Sequence, residues 1–384
     1  MIPFNKAYIS DKEIIYTTNS LKSRKLSGDG PYTKQATELL KNIVQAKKIL
    51  LTTSCTDALE MTTLLLNIEH GDEIIIPAYT FVSTALAFEM RGAKIIFADS
   101  EEFRPHIDAK SIQSLITNKT RAIVPVHYAG EACDMGNIMK YANDKIKIIE
   151  DNAQGITSVY NNRSLGTLGT FGTLSFHDSK NIICGEGGAI IINDENYIER
   201  AEIIREKGTN RSQFFRGEID KYGWADVGSS YLPSDILAAV LTAQLENLTF
   251  IQSERLKRFN RYVEELNVLS EYGVLTSKSS ILSGGNGHIF YLVCNSLEER
   301  NNFIEYMKEA GILCVFHYLS LHKSKYFFNK YNGIELKNTD KFTDCLVRLP
   351  LYVDLTEDEQ KYIINKVKEF FKIRKGVKNY GNKR

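Results

Sequence analysis

Between residues 49 and 192 the chain carries seven short apolar runs rich in branched side chains, at 49–52, 73–77, 94–97, 122–126, 146–151, 173–176 and 189–192. Runs this short, with no alternation of polar and apolar positions, mark strands whose two faces are both covered. Segments with helical spacing at 33–45, 57–67 and 83–91 fall between or before them. Strands of this kind separated by helices predict an α/β fold with a central, mostly parallel seven-stranded sheet and helices on both sides. In such sheets ligands bind beyond the carboxyl ends of the strands. Those ends are where chemistry is sought.

Two stretches interrupt the alternation. Residues 26–31 (Leu26-Ser-Gly-Asp-Gly-Pro31) are dense in turn formers and predict an ordered loop before a helix, either a plain connector or a pocket lip. Residues 207–232 are polar, long and hold the single tryptophan, Trp224. A loop of that length is more often a functional or interface segment than filler. Helices expected at 234–245 and 252–269 then lead to a second unit, with strands at 289–293 and 313–316 and helices at 296–310 and 357–371. The division predicts a large domain over 1–250 and a smaller C-terminal α/β domain over 251–384. The basic tail, 372–384, reads as a solvated end.

Composition narrows the function classes. The 384 residues include 48 basic and 47 acidic side chains, a formal charge of +1, which leaves no electrostatic footprint for nucleic acid. The absence of a long apolar run and of a basic-then-apolar start predicts a cytoplasmic protein with no membrane segment. Six scattered cysteines without C-x-x-C spacing, and seven histidines without H-x-x-x-H, predict neither disulfides nor a metal site.

Four features fall at strand ends. Ser54-Cys55-Thr56-Asp57 opens a helix after a strand, where free N–H groups and the positive helix end suit a phosphate. Glu150-Asp151 places two acids at the end of an isoleucine-rich strand, either as caps or as partners of a buried cation. Pro77-Ala-Tyr79-Thr-Phe81 brings two aromatic rings, for packing or for stacking on a planar ligand. Ser175-Phe-His-Asp-Ser-Lys180, followed by Gly185-Glu-Gly-Gly188, sets a lysine between a strand and a tight turn. A lysine that loses hydration there has a lowered pKa and becomes a usable amine for carbonyl chemistry. Phosphate cradle, ring platform, carboxylate and reactive lysine together are the parts needed by pyridoxal 5′-phosphate (PLP).

These motifs, with Glu150-Asp-Asn-Ala-Gln154, Pro77-Ala-Tyr-Thr-Phe81-Val and His317-Tyr-Leu-Ser-Leu-His322, resemble the fold-type I sugar aminotransferases of the DegT/DnrJ/EryC1 family. The likeness runs nearly end to end. The stretch from Ile203 to Gly217 is especially similar to the dTDP-4-amino-4,6-dideoxygalactose transaminases of surface-polysaccharide synthesis. The resemblance implies that Lys180 holds the cofactor covalently, that Asp151 pairs with its ring nitrogen and that Gln154 contacts the ring near its hydroxyl. It further implies that Phe81 stacks on the ring, and that Cys55, Thr56 and Ser175 take the phosphate. Ser230 stands where the family has an asparagine that reaches a neighbouring subunit's phosphate. A homodimer with shared active sites is implied too.

The implied reaction converts dTDP-4-keto-6-deoxy-D-glucose and L-glutamate to dTDP-4-amino-4,6-dideoxy-D-galactose and 2-oxoglutarate, the cofactor alternating between PLP and its amino form, PMP. The C4 epimer or a 3-keto substrate are the alternatives. Arg211, Arg216, Lys221, His317, Tyr318 and His322 are candidates for the nucleotide-linked sugar. Three other readings compete. A related dehydratase would carry histidine at position 180. A nicotinamide oxidoreductase would need a G-x-G-x-x-G turn that 49–57 lacks. A nucleotide-sugar sensor would keep the cleft without the lysine chemistry.

Overall fold

The computed structural model describes residues 1–278 and 284–381, with side chains described through Lys372. The side chains of the basic tail beyond that point, and residues 382–384, lie outside the described residues. The large sheet contains β1 (Lys48–Thr52), β2 (Glu73–Pro77), β3 (Lys94–Ala98), β4 (Thr120–Ile123) and β5 (Lys147–Asp151). A small hairpin, β6 (Val159–Tyr160) with β7 (Arg163–Ser164), precedes β8 (Phe171–Ser175) and β9 (Gly188–Ile192). The seven-stranded order is β1-β9-β8-β5-β4-β2-β3. β9 is antiparallel to both neighbours and the other pairings are parallel. The expected architecture is present.

Strand periodicity explains why the runs are apolar throughout. Ile74 and Ile76 pack on one side of the sheet with Leu50, Ile149 and Ile190, and Ile75 on the other with Ile123 and Ile148. All three isoleucines of β2 are fully buried. Truncating one to alanine would cost about 2–5 kcal/mol. Because β1, β2, β4, β5 and β8 run the same way, their carboxyl ends form one edge, where Ser54, Phe81, Asp151 and Ser175 gather.

The second unit has a four-stranded antiparallel sheet, β10 (Leu275–Thr276), β11 (Tyr291–Val293), β13 (Leu346–Arg348) and β12 (Val315–Phe316), in that order. Phe259 and Tyr262, Phe303, and Phe371 bring the helices Leu248–Leu266, Leu297–Glu309 and Glu357–Gly381 onto it. The last helix runs ten residues past the 371 expected from its apolar pattern.

Several elements differ from the sequence reading. The first helix is Asp11–Ser23, not the one that starts at Pro31. It opens on a capping box in which Ser10 and Glu13 satisfy each other's backbone ends. Helices Ala109–Leu115, Met135–Ala142 and Lys337–Cys345 also went unanticipated. The loop before the Pro31 helix is ordered by Asp29, whose two carboxylate oxygens accept from Arg205 Nη2 at 2.9 and 3.0 Å. It lies away from the pocket described next.

Candidate active site

β5 ends in two acids that point to opposite sides, as strand geometry requires. Glu150 is fully buried and accepts backbone N–H groups from Gly166, Leu168 and Gly169 at 2.6–2.8 Å, with His127 Nε2 at 2.9 Å. Its oxygens are occupied by the protein. Asp151 faces the carboxyl edge, 5% exposed. The Thr84 hydroxyl donates to its Oδ2 at 2.8 Å and the Ala153 N–H to its Oδ1 at 3.2 Å. Thr84 in turn pairs with the Thr80 hydroxyl at 2.9 Å, one helical turn earlier. Asp151 keeps lone pairs for a ligand.

Beyond β8 the chain turns back on itself. Phe176 N–H donates to Gly187 carbonyl, Cys184 N–H to Phe176 carbonyl, and Lys180 N–H to His177 carbonyl. Gly185, at φ +88°, takes the left-handed conformation that closes the turn. Buried Phe176 and Ile182 pin it to the core. Lys180 lines the cavity: part of the residue stays accessible through the mouth, while protein surrounds its amine. Burial lowers its pKa below that of an ordinary lysine. Cys55 and Asp151 oppose the shift and Arg348 adds to it. An amine in this state is free base more often than a surface lysine.

The helix Cys55–Leu65 points its amino end at the same cavity. Ser54 caps it: its hydroxyl accepts from Asp57 N–H at 3.0 Å and its carbonyl from Ala58 N–H. The remaining N–H groups of the first turn belong to Cys55 and Thr56, and both residues line the cavity. A Cβ on Gly188 would fall 2.4 Å from Cys55 N, so only glycine lets β9 lie this close to the turn. Burial, and next the Asp151 carboxylate, push the Cys55 thiol pKa up, so the residue stays a neutral thiol.

The smaller unit closes the far wall. Gln154 is held at both ends, its Oε1 by Ala129 N–H at 2.6 Å and its Nε2 donating to the Tyr318 hydroxyl at 3.2 Å. His317 pairs with the Tyr128 hydroxyl at 3.0 Å, and burial keeps its imidazole neutral. His288 is also kept neutral by burial; its Nδ1 donates to Asn181 Oδ1 at 2.8 Å, leaving Nε2 as an acceptor. Phe81 stands at the mouth, 54% exposed, 6.1 Å from the Tyr318 ring. The cavity is about 610 Å³, a size that holds a cofactor and part of a substrate.

Of the residues singled out in the sequence, Cys55, Thr56, Phe81, Asp151, Gln154, Ser175, Lys180, His317 and Tyr318 meet in this cavity. The others do not. Ser230 is exposed on the 207–232 segment, bridged to Glu206. Arg216 pairs with Glu202 and Glu218, Arg211 lies over the Phe215 ring, and Lys221 is exposed. His322 turns away to pack against Phe97 and Tyr331, 3.4 Å from Asp340. Sequence reasoning missed Thr84, His288 and Arg348, which also line the cavity. The i, i+4 pair Thr80 and Thr84 was the available signal for the first; the other two had none.

The residues fit PLP on structural grounds: an open helix end for the phosphate, a carboxylate with spare lone pairs, and a desolvated lysine in one cavity. Comparison with known proteins points the same way. Residues 7–368 match the DegT/DnrJ/EryC1/StrS aminotransferase family. The chain is 30% identical over 377 residues to uncharacterized protein MJ1066 of Methanocaldococcus jannaschii, covering 96% of this chain and 97% of that one. It is also 30% identical to a pleiotropic regulatory protein of Geobacillus stearothermophilus, over 83% of each. The fold superimposes on the putative sugar aminotransferase Spr1654 of Streptococcus pneumoniae in its apo form, with TM-score 0.90, 24% identity and 98% and 99% coverage. NtdA of Bacillus subtilis, solved with bound PMP, gives TM-score 0.85 at 27% identity, over 95% of this chain and 83% of that one. The chain belongs to the DegT/DnrJ/EryC1/StrS family of PLP-dependent aminotransferases.

Proposed function

We propose that the protein transfers the amino group of L-glutamate to a nucleotide-linked 4-keto-6-deoxy sugar, with dTDP-4-keto-6-deoxy-D-glucose as substrate and dTDP-4-amino-4,6-dideoxy-D-galactose as product. The observation that carries this reading is the meeting of Lys180 and Asp151 in one cavity at the sheet's carboxyl edge. PLP, when bound, supplies an electron sink for the carbanion left when a proton leaves the donor's α-carbon. The chain's residues do the rest. Lys180, its pKa lowered by burial, binds the cofactor and then moves the proton. Asp151, oriented by Thr84, keeps the ring nitrogen protonated.

Cys55 and Thr56 N–H groups and the Ser175 hydroxyl take the phosphate, and Gln154 and Phe81 address the ring. His317 and Tyr318 face the sugar. The 207–232 segment serves a neighbouring subunit's pocket, with Ser230, Arg211, Arg216 and Lys221 at that surface. A second copy is supported by the exposed apolar row Phe81, Val82, Leu86 and Met90, which starts at the pocket mouth, and by Trp224, 86% exposed. The setting is the cytoplasm, for surface-polysaccharide synthesis; among the described residues no helix is long and apolar enough to cross a membrane.

The test is incubation of the protein with glutamate and candidate keto sugars, followed by product NMR. A galacto-configured 4-amine is the expected product. A gluco amine or a 3-amine would replace the substrate or stereochemistry proposed, and no amine with any keto sugar would overturn the proposal.

A further inference from the structure

The residue after Lys180 fixes a proton on the opposite wall of the cavity. Asn181 Nδ2 donates to the Asn286 carbonyl at 3.3 Å and to Gln252 Oε1 at 3.2 Å. A backbone carbonyl can only accept, so the Asn181 amide has one orientation. That orientation turns its Oδ1 to His288 Nδ1, 2.8 Å away, and an oxygen facing a ring nitrogen requires the proton on that nitrogen. Nε2 of His288 therefore carries a lone pair. It has no hydrogen-bond partner among the described residues, and the residue lines the Lys180 cavity.

The ring is held in place from three sides. Gly287, at φ +61°, turns the chain between Asn286 and His288. Asn286 donates from its amide to the Gln154 and Ile156 carbonyls, both at 2.8 Å, and its Oδ1 accepts from His288 N–H at 3.0 Å. Arg255 Nη2 donates to the His288 carbonyl at 2.9 Å. The charged groups around the imidazole are Lys180, Arg255 and Arg348, all cations, and with burial they keep it neutral. Nε2 stays an acceptor.

His317 is set the other way. Tyr128 is fully buried, and its hydroxyl meets His317 Nδ1 at 3.0 Å. A buried phenol left without an acceptor is costly, so Tyr128 donates there and the His317 proton stands on Nε2. One imidazole offers the cavity a lone pair and the other an N–H. A hydroxyl donates and a ketone accepts, so the two rings together match a carbonyl beside a hydroxyl.

We infer that His288 Nε2 accepts from the hydroxyl on the carbon next to the substrate's ketone, so that the protein selects α-hydroxy ketones. The inference rests on the aminotransferase reading of this cavity. L-Glutamate brings no hydroxyl, and its amine is the reacting group. In a 4-keto-6-deoxy sugar, carbon 5 bears the ring oxygen and the methyl group, whereas carbon 3 bears a hydroxyl. The 3-hydroxyl is the group read.

Two sugars and two half-reactions test this. Absorbance of the cofactor-loaded protein with L-glutamate alone reads the donor half. Return of the signal with dTDP-4-keto-6-deoxy-D-glucose, or with its 3-deoxy counterpart, reads the sugar half. Wild type is expected to prefer the hydroxylated sugar about 100-fold or more in kcat/KM, as sites built around a hydroxyl do. His288→Phe keeps a ring and loses the lone pair. It should slow the hydroxylated sugar about 100-fold and leave the 3-deoxy sugar within about threefold and the glutamate half within about twofold. Asn181→Ala frees the tautomer and should reduce the preference about tenfold. An equal loss with both sugars, the mark of packing alone, overturns the inference, as does a loss shared by both half-reactions. If His288→Phe fails to fold, the wild-type preference and Asn181→Ala carry the comparison.

Nitrogen NMR of protein labelled with nitrogen-15 histidine reads the site without turnover. His288, identified by its change in Asn181→Ala, should show a protonated Nδ1 and a bare Nε2. The Nε2 signal should move on adding dTDP-6-deoxy-D-glucose, which has no ketone to react, and not on adding its 3-deoxy counterpart. The reverse tautomer, or a signal that ignores the hydroxyl, overturns the inference. A wild-type protein that aminates no keto sugar would instead defeat the aminotransferase reading, and this titration would still decide whether His288 receives a hydroxyl.

Discussion

Glu150 accepts three backbone N–H groups and faces His127, whereas Asp151, one residue further, accepts from Thr84 and Ala153 and turns the rest of its carboxylate to the cavity. Both are buried acids on the same strand. One is saturated by the protein and holds the 166–169 loop onto the sheet. The other is left short of partners at a strand end, where a ligand's cation would complete it. Burial alone does not separate a structural acid from a functional one; the count of satisfied lone pairs does.

The contrast can be tested by substitution. Lys180→Ala, at the cavity's other pole, should lower turnover by about four orders of magnitude or more with the fold intact, measured by product formation and circular dichroism. Asp151→Asn should still take up cofactor but lose about 10²- to 10³-fold in rate; near-normal turnover would remove its role at the ring nitrogen. Glu150→Gln should invert the pattern. Facing three N–H donors with an amide should cost about 3 kcal/mol of stability in denaturant titration. Turnover per folded molecule should stay within about twofold. A rate loss without a stability loss would erase the distinction between the two acids.

Thr84→Val removes one hydrogen bond to Asp151 and should slow the reaction about fivefold, an effect of roughly 1 kcal/mol. The mildest expected effect is a shift in pH. Because burial lowers the Lys180 pKa, the apoprotein's capture of cofactor should rise with pH and level off below the range of an ordinary lysine. The same depression leaves the folded apoprotein with fewer bound protons than the unfolded chain. Between the folded and unfolded lysine pKa values, stability therefore rises with pH. Capture that tracks an ordinary surface lysine would contradict the desolvated state.

The large sheet was legible because strands covered on both faces have no polar positions to blur the pattern. The helix Asp11–Ser23 was not, although Ser10 and Glu13 spell its cap. Its buried residues are Glu13 and Ser20, while Ile14, Ile15 and Leu21 are exposed, so no apolar stripe marks it. In the smaller unit the runs expected at 289–293 and 313–316 contain β11 and β12, whereas β10 and β13, of two and three residues, are too short to show a period.

The cavity divides the same way. Lys180 and Asp151 sit in local motifs whose chemistry can be read. Arg348 and His288 come from distant segments, and only tertiary packing, such as that of Tyr79 and Tyr128 against Ile289 and Tyr291, brings them to the lysine. His322, five residues after His317, was expected to share its pocket. The short turn Leu321–Lys323 carries it instead toward Phe97 and Tyr331.

The central claim is that Lys180, in a cavity shared with Asp151, is the residue that binds the cofactor. Borohydride reduction of the PLP-loaded protein, followed by peptide mass analysis, tests it directly. The expected result is a cofactor-derived mass on the peptide containing Lys180 and on no other lysine, and its loss in Lys180→Ala. Reduction that labels a different lysine, or none while the cofactor remains bound, would contradict the account.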